Sequence, residues 1–153
     1  MNPIASVGNA VGNSRATFWH SDSLVCGTGR VVGALIGANV NQTNTDIAIP
    51  LFLLPGCNYI ISKVFLNGAS ISLTTATFGV FSGAGATGVT IVTAGAVLSS
   101  LTSSTSNLQA TLAATATTTV LNQTTAPVLY LRIGTAQGAA ATVDIYVVAD
   151  ILP

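Results

Sequence analysis

From Leu129 to Leu152 apolar and polar positions alternate in two runs. Leu129, Leu131 and Ile133 fall on one side of the first run, and Val128, Tyr130 and Arg132 on the other. In the second, Val143, Ile145, Val147 and Ala149 alternate with Asp144, Tyr146, Val148 and Asp150. A period of two residues belongs to a β-strand with two unlike faces. The intervening TAQGAAAT has small residues and turn chemistry at Gly138, so the pattern predicts an antiparallel hairpin. In that hairpin Tyr130 and Tyr146 would pair across the strands. Arg132 would face Asp144, opposite charges there favouring the register, with a contribution of no more than about 1 kcal/mol if the pair is exposed.

Short runs of the same kind fill the chain from Gly29 onward. GRVVGALIGANV predicts a first strand, followed by the polar turn NQTNTD. IAIPLFLLPG is a second run, which Pro50 and Pro55 confine to an edge or to strand ends. NYIISKVFLNG alternates cleanly and stops at Asn67-Gly68, a tight-turn signal. ISLTTATFGVFSG reads as a half-exposed strand because Thr74, Thr75 and Thr77 sit among its apolar residues. GVTIVTAGAVLSSLT predicts a strand and then one helical turn, and NLQATLAATATTTVLN two further short runs. The Ala-rich stretch from Ala110 to Ala116 has the composition of a helix, but its Thr content and lack of charged helix formers oppose one. About eight strands with regular turns predict an all-β fold over residues 28–153, an antiparallel β-sandwich of jelly-roll or related type.

Residues 1–27 follow another rule. Small and polar residues dominate, and neither period is sustained. Within them Arg15, Phe18, Trp19, His20 and Asp22 include the only Trp and the only His of the chain. The segment reads as an extended arm that becomes ordered against a partner, these five residues being the candidate contacts. The competing reading is an arm that folds back and plugs one end of its own domain with Phe18 and Trp19.

Composition narrows the function. Half of the residues are hydrophobic and only 5% are charged, against roughly 25% in an ordinary soluble domain. With net charge zero and no basic cluster, nucleic-acid binding is not expected. Near-neutrality also removes the electrostatic barrier to self-association. The most apolar stretch, Ile47 to Ile61, is too short and too interrupted for a membrane-spanning helix, and the N-terminus lacks the features of a secretory signal. Cys26 and Cys57 show no metal spacing and read as two buried thiols. Titratable groups do not converge: His20, Ser21 and Asp22 are chain neighbours on an arm, and the four Asp are dispersed, so no catalytic, cofactor or metal site is expected. Gly83-Ala-Gly85-Ala-Thr-Gly88 matches a dinucleotide-binding pattern, but β-branched GVTIV follows it where a helix is required, so it reads as a hairpin loop. Asn41-Gln42-Thr43 and Asn122-Gln123-Thr124 read as polar turns.

TTATFGVFSGAGATGVTIVTAGAVLSSLTSS, and later LYLRIGTAQGAAATVDIYVVADILP, resemble small β-rich structural proteins of tailed bacteriophages. The likeness runs from about Leu51 to Pro153 and is nearest to the auxiliary head proteins called cement or decoration proteins. It implies a non-enzymatic homotrimer on the outer surface of the virion capsid, assembled in the host cytoplasm and clamping subunits of the major capsid protein. It assigns no functional residue. The alternative from the residues themselves is a carbohydrate- or receptor-binding β-sandwich of a phage tail or surface structure, with Tyr130, Arg132, Asp144 and Tyr146 on one hairpin face. A pilus or surface-layer subunit is a third reading, which needs an export route.

Overall fold

The computed structural model describes residues 27–152. Among the described residues there are nine strands: β1 (Gly27–Asn39), β2 (Asp46–Pro50), β3 (Asn58–Asn67), β4 (Thr77–Gly83), β5 (Thr87–Val97), β6 (Asn107–Gln109), β7 (Leu121–Asn122), β8 (Val128–Thr135) and β9 (Thr142–Leu152). Among the described residues no helix is long and apolar enough to cross a membrane. The first sheet has the order β1-β9-β3-β6, with β7 also pairing to β3, and the second the order β2-β8-β4-β5. The fold is the expected antiparallel sandwich, with β6 and β7 as two very short strands on one side of β3.

Nested pairing explains this order. β4 and β5 close a local hairpin around the Gly-rich loop, with Gly83 opposite Thr87. Outward from it, β3 pairs with β6 and β7, β2 with β8, and β1 with β9. One long hairpin rolled so that successive pairs fall in alternate sheets is the arrangement of a jelly roll.

The expected hairpin between Leu129 and Leu152 does not form. β8 pairs with β2 and β4, whereas β9 pairs with β1 and β3. The two are consecutive on the returning limb of the rolled hairpin, so each pairs with its counterpart on the outgoing limb. The loop between them crosses from one sheet to the other and is tied to other crossings at that end. Gln137 donates from its backbone N–H to the Val40 carbonyl at 3.0 Å, and Gly138 N–H donates to Asn41 Oδ1 at 2.9 Å. The Gln137 Nε2 group donates to the Ser72 carbonyl at 3.1 Å. Asn67-Gly68 behaves alike: Gly68 takes a positive φ of 64°, and the chain crosses to β4 in the other sheet.

Side-chain alternation, in contrast, is as the sequence predicts. Leu129, Leu131 and Ile133 of β8 and Val143, Ile145, Val147 and Ala149 of β9 are buried between the sheets. Burying a Val, Leu or Ile side chain fully contributes about 1.5–3 kcal/mol. A bulge between Ile61 and Lys63 lets both Ile61 and Val64 of β3 face the core. Tyr59, also fully buried, donates its hydroxyl to the Ala126 carbonyl at 2.8 Å. Burial pushes its phenol well above the ordinary value of 10.0, because the phenolate would be desolvated.

Two local expectations are corrected. The strand expected from Ile71 starts only at Thr77, and it is not half-exposed: Phe78, Gly79, Val80 and Phe81 are all buried. β4 lies between β8 and β5, and the Phe81 ring on its outer side lies so close to Gly79 that a Cβ there would meet it at 2.9 Å. Cys57 is half-buried rather than buried, packed against the rim of the core.

Candidate functional site

All three aspartates of the described residues accept a hydrogen bond from a glycine backbone N–H. Asp150 Oδ1 accepts from Gly29 at 2.6 Å, Asp144 Oδ1 from Gly37 at 2.8 Å, and Asp46 Oδ2 from Gly85 at 2.6 Å. Each of these glycines has a positive φ, between 63° and 71°, a region costly for residues with a Cβ. Gly29 and Gly37 lie where the β1–β9 register shifts, so the carboxylates of β9 fasten two bulges of the edge strand β1. Gly85 lies in the β4–β5 loop. There the backbone N–H that a dinucleotide pattern would offer to a phosphate is held by the protein's own carboxylate.

The four candidates expected on one hairpin face are divided between the two outer faces of the sandwich. Tyr130 and Arg132 are on the second sheet, Asp144 and Tyr146 on the first. Tyr130 stands opposite Ala48 and Phe81, and Tyr146 opposite Ala34 and Phe65, so neither tyrosine meets the other. Arg132 and Asp144 do not pair either. Arg132 Nη1 donates to Asp46 Oδ1 at 2.9 Å, its cross-strand neighbour on β2, with side-chain exposures of 24% and 21%. The arm candidates Arg15, Phe18, Trp19, His20 and Asp22, like Cys26, lie outside the described residues. No group of three or more His, Cys, Asp or Glu that could hold a metal occurs among the described residues.

Sequence reasoning missed the apolar surface. Val31 and Ile36 of β1 and Phe52 and Leu54 after β2 are exposed, as are Ile71, Val97 and Val120. The segment after β2 crosses the open side of the sandwich onto β1: Leu51 bridges to Gly33, and Phe52 N–H donates to the Val32 carbonyl at 2.6 Å. Only glycine fits at position 33, where a Cβ would meet Leu51 Cδ2 at 2.7 Å and the Pro50 carbonyl oxygen at 2.8 Å. Beside this crossing is an open groove of about 310 Å³ lined by Gly29, Arg30, Val31, Val32, Phe52, Leu53 and Ile151. The signal was present in IPLFLLPG, whose apolar residues exceed what a five-residue edge strand can bury.

Charge is distributed unevenly as well. Between Lys63 and Arg132 the sequence has no Asp, Glu, Lys or Arg. That stretch supplies β4 to β7 and their loops; it is rich in Ser, Thr and Ala and carries exposed Ile71, Val97 and Val120. Such a surface can be covered by apolar contact and hydrogen bonds at little cost in desolvated charge. Comparison with protein-family models, curated proteins and solved structures returned no match.

Proposed function

We propose that this chain is a structural, non-enzymatic virion protein: a capsid cement or decoration protein that binds the outer surface of a phage head as a homotrimer and strengthens contacts between major capsid subunits. The observation that carries this reading is the uncharged flank between Lys63 and Arg132 with its exposed apolar side chains. A surface of this kind favours permanent coverage within an assembly. The likeness of the stretch from Leu51 to Pro153 to phage auxiliary head proteins points the same way. Three copies joined in one trimer would turn modest contacts into durable attachment through effective concentration, and attachment through uncharged groups depends weakly on salt. The alternative, a carbohydrate- or receptor-binding module, had its binding platform in a Tyr130–Tyr146 pair. Those residues lie on opposite outer faces, so that platform is not available to it.

Titration of undecorated capsids with the purified chain tests the proposal. Saturable binding that raises the disruption temperature of the shell, with little change between low and high salt, is the expected result. A chain that stays monomeric at high concentration and leaves capsids bare would end it. Deleting residues 1–25 should weaken attachment, and unchanged affinity would remove the segment from the contact. A specific hit on a glycan array would favour the alternative.

A further inference from the structure

We infer that the Asn67–Gly68 peptide is a site of spontaneous covalent modification: the Gly68 backbone nitrogen attacks the Asn67 side-chain amide, and the aspartate or isoaspartate that results loosens the hold of Asp144 on the edge strand β1. The site belongs to the isolated chain, whether or not a capsid is its partner.

Position 68 has to be glycine. Its φ is 64°, and a Cβ there would meet Asp144 Oδ2 at 2.8 Å, so backbone and packing both exclude a side chain. The same bareness leaves the Gly68 nitrogen unshielded. Gly68 follows the last residue of β3, and its N–H donates to no group among the described residues. Asn67 is half-buried on the outer face of the first sheet, and its side-chain amide has no hydrogen bond among the described residues to hold it away from that nitrogen. Other asparagines are tied down: Asn39 and Asn41 accept through Oδ1 from the N–H groups of Asn41 and Gly138, and Asn122 Nδ2 donates to Asn58 Oδ1 at 2.8 Å. No other asparagine of the chain precedes a glycine.

The reaction balances with water alone. As the bond from Gly68 N to Asn67 Cγ forms, the side-chain NH₂ leaves with the Gly68 N–H proton as ammonia, and a cyclic imide remains. Water adds to either imide carbonyl and opens the ring, to aspartate at one carbonyl and to isoaspartate at the other. Either product carries a new carboxylate.

That carboxylate arrives beside one already in place. Asn67 is paired with Asp144 across β3 and β9, and like charges directly opposite each other are destabilising. Asp144 Oδ1 accepts from Gly37 N–H at 2.8 Å and so fastens a bulge of β1. Isoaspartate also lengthens the main chain by one atom. The lengthened piece lies between the pairing with Asp144 and Ser70, whose N–H donates to the Thr142 carbonyl at 3.0 Å and whose Oγ accepts from the Thr142 N–H at 2.9 Å. A turn fixed at both ends has little slack for it.

Peptide mapping by mass spectrometry, on the folded full chain kept in warm neutral buffer, reads the site. A unit mass gain should appear at Asn67 ahead of every other described asparagine, with one ammonia released per site. Its rate should be no more than several-fold below that of the urea-unfolded chain. Asn67→Gln, whose longer side chain closes the ring poorly, should remove the gain. Asn67→Asp should quicken hydrogen exchange at the Gly37 amide several-fold and leave the Gly85 amide, held by Asp46, at its original rate. The aged, unaltered chain should show the same change, and it serves if Asn67→Asp does not fold. Full conversion in urea with none in the folded chain would overturn the inference, as would earlier conversion at another described asparagine. Unchanged Gly37 exchange in the aged chain would overturn the link to β1. None of these results bears on capsid binding, which is read by titrating shells.

Discussion

β8 and β9 are neighbours in the chain, alternate in the same way and bury the same kind of residue, yet they hold their surroundings by different means. Each is central in its sheet and lies next to an edge strand, β2 beside β8 and β1 beside β9. β8 holds β2 through a side-chain ion pair, Arg132 with Asp46. β9 holds β1 through carboxylates that accept from backbone N–H groups at bulged glycines. A regular five-residue edge can be kept in register by one cross-strand pair. A long edge strand that gains extra residues relative to its partner leaves N–H groups turned out of the ladder, and these need acceptors. Asp46, Arg132, Asp144 and Asp150 are thus placed where the edge strands β1 and β2 need fastening.

Inside the sandwich the two strands should be equivalent, and that equivalence is the most severe test. Leu131 and Ile145 are both fully buried, so Leu131→Ala and Ile145→Ala should each lower unfolding free energy by about 2–5 kcal/mol. Urea denaturation followed by circular dichroism checks it. A loss well under 1 kcal/mol for one variant alone, a threshold set by about 0.8 kcal/mol per buried CH₂, would mean that its strand does not share the core.

Tyr59 links the two regions. It pairs with Ile151 of β9, and its hydroxyl donates to the carbonyl of Ala126, just ahead of β8. Tyr59→Phe leaves that buried carbonyl without its donor and should cost about 1–3 kcal/mol. The pH dependence has a definite sign. Burial raises the phenol above its ordinary 10.0, so the unfolded chain ionises first. The contribution is therefore whole below pH 10 and is lost as pH rises toward the folded value. Tyr59→Phe should flatten this part of the alkaline decline, and an unchanged alkaline limb would contradict the assignment.

The same contrast shows what could be read from the sequence. Which residues of β8 and β9 face the core was legible, because alternation is a local property that burial enforces. Their partners were not: pairing is set by nested contacts as distant as Gly29 with Asp150, 121 positions apart, and no local pattern carries that information. Tyr130, Arg132, Asp144 and Tyr146 were assigned to one face for this reason, and they divide between two. The Gly83–Gly88 loop was legible because β-branched residues follow it directly. The roles of Gly29 and Gly37 were missed. A glycine with positive φ announces itself only once the partner strand is known to be shorter by one residue at that point.

Glycine substitutions sharpen the comparison at the edges. At Gly37 and Gly85 an added Cβ meets nothing within 4 Å, so Ala introduces backbone strain alone, about 1–2 kcal/mol at each position. Gly37→Ala combined with Asp144→Ala should cost less than the sum of the two, because the positive-φ backbone at 37 is the one that the carboxylate holds, and once that hydrogen bond is gone the bulge can relax its strain. Gly85→Ala combined with Asp144→Ala should be additive, since the Gly85 N–H donates to Asp46 instead. Additivity in both combinations, measured by denaturant titration, would show that Asp144 does not hold the β1 bulge.

The smallest effect expected is that of the ion pair on β8. Arg132 and Asp46 are each more than a fifth exposed, so water and salt screen their attraction, and a double-mutant cycle should give a coupling of no more than about 1 kcal/mol. That coupling should shrink between low and high ionic strength. Asp46→Ala should cost more than Arg132→Ala, because Asp46 also accepts from Gly85 and anchors the β4–β5 loop as well as β2. Hydrogen exchange at the Gly85 amide separates the two roles: it should quicken in Asp46→Ala and stay near its original rate in Arg132→Ala. Equal acceleration in both variants would mean that the loop is held through the ion pair as a unit. The distinction between a strand fastened by side chains and one fastened through its backbone would then fail on the β8 side.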